Sequence, residues 1–333
     1  MKKILILSFL ILTFFAGCEL NTELSTIFEK NELPFSENST FSKNGRFFVA
    51  AGTQVVEIIK DGNNDIQKTV IVDTQNPAWQ FTGLTSYQNK LYAASTFMVY
   101  DNVNPLPTPV ACNLYQIDVS NDTPVIKSTL LPDHFVILAN GMATDSKGNI
   151  YISNTYGPSV QAFGLPEAAI LKIEVIDEEN FTVKQTNWLY EETIGGLPNG
   201  LQIKGNRAYL ASNNVILKIA INDDGSAGTP AIIYQTDVIE NIIDDFTIFG
   251  KKIILCELDN PFDAVVTGKS QLTVISTAKR NEGDTLTAIE LADYGILPSS
   301  VSVSPLKSYK LFKPFSLLIT DWVNGGLFQV SFQ

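Results

Sequence analysis

The chain is predicted to be all-β: one six-bladed propeller of four-stranded blades, its last blade closed by a strand from the N-terminus. Three observations predict this. A strand of mixed polarity, a short polar turn and a very apolar strand form a unit that recurs six times. The units start at residues 37, 82, 140, 199, 244 and 299, roughly fifty residues apart, which is the length of a four-stranded blade. Beyond the first residues, no run of ten or more carries apolar side chains at helical period.

Residues 1–17 read as an export signal. Lys2 and Lys3 precede an apolar run, Ile4 to Phe15, interrupted only by Ser8 and Thr13. Such a run is too short for a permanent bilayer span, and its positive start suits a cleaved leader. Phe15-Ala16-Gly17-Cys18 follows, and small residues directly before a cysteine resemble the bacterial lipobox, whose thiol is acylated. Phe15 stands where that box usually has an aliphatic residue; a plain secretory leader with an unmodified cysteine is the other reading. Lipidation at Cys18 implies a chain held in the bacterial cell envelope, at the outer membrane or cell surface. Each buried methylene of the anchor would add about 0.8 kcal/mol. Residues 18–36 are largely polar and read as a tether, with Leu24 to Phe28 as the strand that completes the last blade.

The propeller is expected over residues 37–333. Blade one opens at Glu37 and turns at Asn44-Gly45, and blade two runs from Thr82-Gly83-Leu84 into Leu91-Tyr92-Ala93. Blade three pairs Asn140-Gly141-Met142 with Ile150-Tyr151-Ile152, and blade four pairs Asn199-Gly200-Leu201 with Ala208-Tyr209-Leu210. Asp244-Asp245-Phe246 with Lys252 to Leu255, and Ser299-Ser300-Val301 with Phe315 to Ile319, begin blades five and six. Third strands follow at Val55–Ile59, Leu114–Val119, Ile170–Val175, Val215–Ile221, Leu272–Ile275 and Leu327–Phe332. Fourth strands are legible in the first five blades, for example Ile66 to Val72 and Ala231 to Gln235. Blade six ends with its third strand, so an N-terminal strand would close the ring and hide two sheet edges.

A net charge of −12 without a basic cluster beyond the leader argues against nucleic acid and anionic lipid as partners. The membrane is then met only through the lipid anchor, and a monomer that takes a small molecule is expected. Cys112 and Cys256 invite a disulfide in an exported chain. The repeat map puts them three blades apart, far beyond the roughly 7 Å Cα separation a bridge allows. Two separate buried thiols are expected.

In a propeller the first strand of each blade is innermost, so the residues opening the repeats converge at the mouth of the central tunnel. They are Glu37, Thr82, Asn140, Asn199, Asp244 and Ser299. Glu37, Asn140, Asn199 and Asp244 offer carboxylate and amide oxygens, a set that suits Ca²⁺ or another hard divalent cation. No Cys or His set exists for zinc. Asn-Gly is also a common turn dipeptide, but the turns of blades three and four fall later, at Lys147-Gly148 and Gly205-Asn206, so Asn140 and Asn199 read as ring residues. Structural capping is their other reading.

Asn140-Gly141-Met142-Ala143 with Asp145, Gly148-Asn149-Ile150-Tyr151, its echo Pro198-Asn199-Gly200-Leu201, and the looser Glu37-Asn38-Ser39-Thr40-Phe41 carry a resemblance. Together with Asp244-Asp245-Phe246 they resemble the senescence marker protein/gluconolactonase family, whose relatives include paraoxonases and strictosidine synthase-like propellers. The resemblance spans nearly the whole chain after the leader. It implies a metal at Glu37, Asn140, Asn199 and Asp244, acting as Lewis acid on a lactone or ester carbonyl, with Asp244 activating water. Thr82 stands where the paraoxonase-like branch has its histidine, and the sole histidine, His134, reads as a loop or lid residue.

Long connections at Thr96–Asn113, Asn154–Ala168 and Leu258–Ser270 are expected to wall a pocket above the mouth. Tyr156, Phe163, Phe262 and Trp322 are candidate walls, with Thr82 and Ser299 at its floor. Two functions remain: a Ca²⁺-dependent, membrane-anchored hydrolase of small lactones or esters, or a non-catalytic binding propeller stapled by a structural cation.

Overall fold

A computed structural model describes residues 22–63, 65–99, 108–131, 138–155, 168–237, 241–258, 270–308 and 311–332. Six separate four-stranded antiparallel sheets make up the propeller. The inner strands are Ser36–Phe41, Trp79–Tyr87, Ala139–Thr144, Pro198–Lys204, Ile242–Phe249 and Pro298–Val303. Each is followed outward by its second, third and fourth strand in chain order, except in blade six. There the closing strand Thr22–Phe28 pairs antiparallel with Gly326–Phe332, Leu24 opposite Val330 and Thr26 opposite Phe328. Among the described residues the only helical segments are three-residue turns, at Glu191–Thr193, Ala292–Tyr294 and Leu306–Ser308.

The second strands explain their sequence. Phe47–Ala51, Ile150–Asn154 and Leu317–Asp321 are buried at every position, because a middle strand is covered on both faces by the neighbouring blades. The core is accordingly divided into six wedges, each shared by two adjacent blades. Phe48, Val55, Phe81 and Leu91 fill the wedge between blades one and two. Phe28, Phe47, Leu318 and Leu327 fill that between six and one, so the closing strand adds side chains as well as hydrogen bonds. Burying one such side chain stabilises by about 1.5–3 kcal/mol. Fourth strands are the most exposed; Val125–Leu130 and Thr285–Glu290 alternate, with one side to solvent, whereas Ile66–Asp73 is exposed along most of its middle.

Turn glycines fall where the hairpins require them. Gly45, Gly148, Gly205 and Gly325 all have positive φ, from 63° to 87°. Cys112 in blade two and Cys256 in blade five are unbridged and fully buried. Burial pushes the Cys112 thiol up to about 12, so it stays a neutral, inert core group.

Hydroxyl groups line the joint that closes the ring. Ser36 Oγ donates to the Asp321 carbonyl at 3.0 Å, and Ser39 Oγ meets Ser302 Oγ at 2.9 Å. Removing residues 22–28 would strip this last blade of its outer strand and bare the edge of Gly326–Phe332. Differential scanning calorimetry of that deletion should show Tm lowered by roughly 10 °C or more, with self-association through the exposed edge.

Candidate functional site

The residues that open the six repeats share one structural position, a β-bulge on the inner strand. In blade one Ser36 pairs with Ala51 and Asn38 with Ala50, which leaves Glu37 as the extra residue. Thr82 is extra between Phe81, opposite Ser95, and Gly83, opposite Ala94. Ser299 is extra between Pro298, opposite Asp321, and Ser300, opposite Thr320. In blades three, four and five two residues oppose one: Asn140-Gly141 face Ser153, Asn199-Gly200 face Ala211, and Asp244-Asp245 face Cys256. An extra residue bends the strand and re-aims its side chain. Repeated in every blade, it sends side chains from distant parts of the chain toward one another at the tunnel.

Close approach of neighbouring inner strands accounts for the glycine after each asparagine. Neither Gly141 nor Gly200 is left-handed, so neither makes a turn. A Cβ on Gly141 would lie 2.4 Å from the Asn199 carbonyl oxygen, and one on Gly200 would lie 2.4 Å from Asp245 Oδ1. Atoms of the next blade fill the space a side chain would take. Ser153 steadies the bulge of blade three: its Oγ accepts from Gly141 N at 2.7 Å and donates to the Asn199 carbonyl at 2.5 Å.

Glu37, Asn140, Asn199 and Asp244 are brought together. Asn199 Nδ2 donates to Asp244 Oδ1 at 2.6 Å, and the Asn140 amide of blade three donates to the Glu37 carboxylate of blade one. Asn199 therefore turns its carbonyl oxygen the other way, where it is buried with no protein partner. Asn38 Nδ2 reaches the carbonyl of Thr82 at 2.7 Å and that of Asn140 at 3.3 Å, tying three inner strands together.

Asp245 is the residue the sequence reading passed over. It stands where blades two, three and four have glycine, is 8% exposed, and faces the interior of the tunnel. A cavity of about 150 Å³ lies there, lined among others by Asn38, Ser39, Thr85, Gln202, Asp245 and Thr247. Its signal was present: an Asp-Asp pair breaks a pattern otherwise written Asn-Gly.

Glu37 and Asp244 keep some surface open to the tunnel, yet their carboxyl groups lie within the protein. Burial pushes Glu37 well above the usual carboxylate range, and the charges of Asp244 and Asp245 push it further. Burial raises Asp244 to about 7, against the Asn199 hydrogen bond. Asp245 is raised to about 8, by burial first, against a hydrogen bond from Phe246 N–H and with a contribution from Asp244. No lysine or arginine pairs with these carboxylates among the described residues. Nor do three or more His, Cys, Asp or Glu side chains among those residues group to hold a metal, so a cation would also need the amide oxygens.

The remaining candidates fall out differently. Ser299 does not floor a pocket: it is 2% exposed, and its hydroxyl donates to the Ser36 carbonyl at 2.7 Å within the joint of blades six and one. The bulge brings Ser299 to the joint because the neighbouring strand there is also hydroxyl-rich. Thr82 is half-buried, with Oγ1 3.0 Å from Thr96 Oγ1. Trp322 is 39% exposed beside Phe35, on the side of the mouth. Tyr156, Phe163, Phe262, His134 and Cys18 lie outside the described residues.

No family profile matches this chain, and no curated protein does. Solved structures do. A gluconolactonase, XC5397 from Xanthomonas campestris, is 12% identical with a TM-score of 0.58, covering 94% of this chain and 90% of its own. A putative oxidoreductase (glucose dehydrogenase) from Thermus thermophilus is 11% identical at TM-score 0.58, with 93% and 100% covered. Virginiamycin B lyase from Staphylococcus aureus is 11% identical at 0.53, covering 93% and 99%. The chain thus shares the six-bladed fold of several enzymes with different chemistries.

Two outcomes follow from the bulge ring. Gly141→Ala should destabilise by about 2–3 kcal/mol in a denaturant titration, because its Cβ meets backbone that cannot give way. Raised carboxylates bind more protons folded than unfolded above their ordinary range. In metal-free protein the contribution of Asp244 and Asp245 is fullest below about pH 4 and is lost as pH rises through about 7 and 8, and Glu37 acts in the same direction. Tm should therefore fall between pH 5 and 8, and Asp245→Asn should flatten that slope. Surface acids with lowered values, such as Asp73 and Asp118, exert the opposite effect, below pH 4.

Proposed function

We propose that this protein is a cation-dependent hydrolase of small lactones or esters that works at the mouth of its propeller tunnel. The observation that carries the reading is the buried Asn199 carbonyl oxygen, bare of any protein partner, on the same amide that donates to Asp244, whose charge in turn reaches Glu37. Oxygen donors of mixed charge, with no base opposing them, fit Ca²⁺ or another hard divalent ion. Glu37, Asn140, Asn199 and Asp244 would hold it. When bound, such an ion supplies Lewis-acid polarisation of a carbonyl and stabilises the oxyanion. The solved gluconolactonase of the same fold supports the choice of substrate class, although propellers host many activities.

The chain's own residues would do the rest. Asn199 holds the Asp244 carboxylate by one oxygen and fixes its orientation toward the mouth. Asp244 takes a proton from the attacking water. Asn140 orients Glu37 in the same way. Export and lipid anchorage at Cys18 would put this activity in the cell envelope, in a chain acting as a monomer.

A second reading has its own support. Asn38 joins three inner strands, so a cation beside it would serve only to staple the ring; a binding propeller would result. Calorimetry with Ca²⁺ and assays on lactones, aryl esters and phosphotriesters separate the two. Asp244→Ala should weaken Ca²⁺ binding at least about 100-fold and abolish hydrolysis, and EDTA should do the same reversibly in the wild type. Unchanged affinity in Asp244→Ala rejects the ring as the site. Ca²⁺ binding with no hydrolysis by the wild type favours the binding propeller.

A further inference from the structure

Blade two stands higher at the mouth than blade one. Its first three strands have nine, ten and eleven residues, against six, five and seven in blade one. Trp79 and Phe97 form the first rung of this taller hairpin, three residues before Thr82, with ring centroids 5.2 Å apart and both rings half-buried. On the other side of blade one, Phe35 lies two residues before Glu37. It is 47% exposed and its ring stands 6.1 Å from that of Trp322, itself 39% exposed.

Between these two aromatic pairs blade one offers only the tight turn Gly52-Thr53. That turn is bonded to both sides: Gly52 N donates to the Phe35 carbonyl at 3.2 Å, and Phe81 N donates to the Gly52 carbonyl at 2.7 Å. The two flanking backbones are thus two hydrogen-bonded steps apart, roughly 10 Å. Phe35 adopts a left-handed backbone, φ 53°, which a bulky side chain rarely accepts. It is held there by the glycine turns at Gly52 and Gly325, where a Cβ would lie 3.2 Å from the Pro34 carbonyl oxygen and 2.9 Å from Pro34 Cα. At blade one the rim of the tunnel therefore has a low notch with aromatic rings on either flank, at the end where the strand carrying Glu37 begins.

We propose that this notch is a stacking subsite for the flat or cyclic apolar part of the substrate, so that the protein selects ring-bearing lactones or esters over small aliphatic ones. This deepens the hydrolase reading and rests on it for the reaction. Trp79, Phe97, Phe35 and Trp322 are specificity residues here; none reaches the reacting carbonyl.

Binding is read apart from turnover with two stable lactams of the same ring size, an aryl-fused six-membered lactam and δ-valerolactam. By calorimetry the wild type should bind the aryl-fused lactam about tenfold more tightly. Trp322→Ala and Trp79→Ala should each remove most of that preference, with Ca²⁺ affinity unchanged. Tryptophan fluorescence gives a second readout, since the third tryptophan, Trp188, is buried and bonded to the Gly225 carbonyl. The aryl-fused lactam should quench the wild type, and Trp79→Phe/Trp322→Phe, which keeps the fold while leaving only Trp188, should abolish the quench. Equal affinity for the two lactams, or an unchanged preference in both alanine variants, overturns the notch. If the lactam preference holds while no lactone is hydrolysed, the notch stands and the hydrolase reading falls. If lactones are hydrolysed with equal kcat/KM whether or not they carry the aryl ring, the notch falls and the hydrolase reading stands.

Discussion

One extra residue on every inner strand governs the centre of this molecule. Inner strands of a six-bladed ring approach one another closely, and an unbroken ladder would leave their side chains alternating between the faces of each blade. The bulge breaks that alternation at one level of all six blades. At that level Glu37, Asn140, Asn199 and Asp244 meet, and just past it Gly141 and Gly200 let the neighbouring strands touch. Where the second residue is not glycine, as at Asn38 and Asp245, a polar side chain enters the tunnel instead.

Such a ring is unfavourable on its own terms. Three carboxyl groups are enclosed without a lysine or arginine among the described residues to neutralise them, and burial raises all three. An isolated buried carboxylate is costly enough that it takes up a proton or finds a partner. The surrounding structure tolerates this because the stabilising burial is elsewhere. Six apolar wedges between blades hold the sheets, and inner-strand residues such as Phe81, Met142, Leu201 and Phe246 join them beside the polar bulge positions. The centre is thus free to be polar. Closure by an N-terminal strand adds to the wedge between blades six and one and covers the edge of Gly326–Phe332.

The division of labour between rim and ring follows the same logic. Ring residues lie on strands locked by two neighbours, whereas the rim is built from strand extensions and turns whose length differs between blades. Blade one, reduced to Gly52-Thr53, and blade two, extended to Trp79 and Phe97, make the mouth asymmetric without disturbing the ring below.

Much of this was legible in the amino-acid order. Apolar second strands recurring at blade length determine six sheets, since a strand buried on both faces must be continuously apolar. The missing outer strand of blade six and the spare apolar segment at Leu24–Phe28 determine the closure. Turns placed after Asn140 and Asn199 determine that those residues are strand residues, and the repeat order alone names the ring. Tertiary structure decided what pattern cannot express. Bulges are a matter of register between two strands, so why Asn140 and Asn199 point inward emerged only from pairing. Ser299 obeyed the repeat yet was taken into the hydroxyl-rich joint with blade one, because the adjacent inner strand there carries Ser36. Asp245 stands in a glycine position, and only the tunnel beside Gly200, which holds its carboxylate, accounts for it. Phe35 and Trp322 are far apart in the chain and meet only because the ring closes there. Periodicity records which face of a strand is buried; which residues meet across a closed ring depends on contacts that no local pattern encodes.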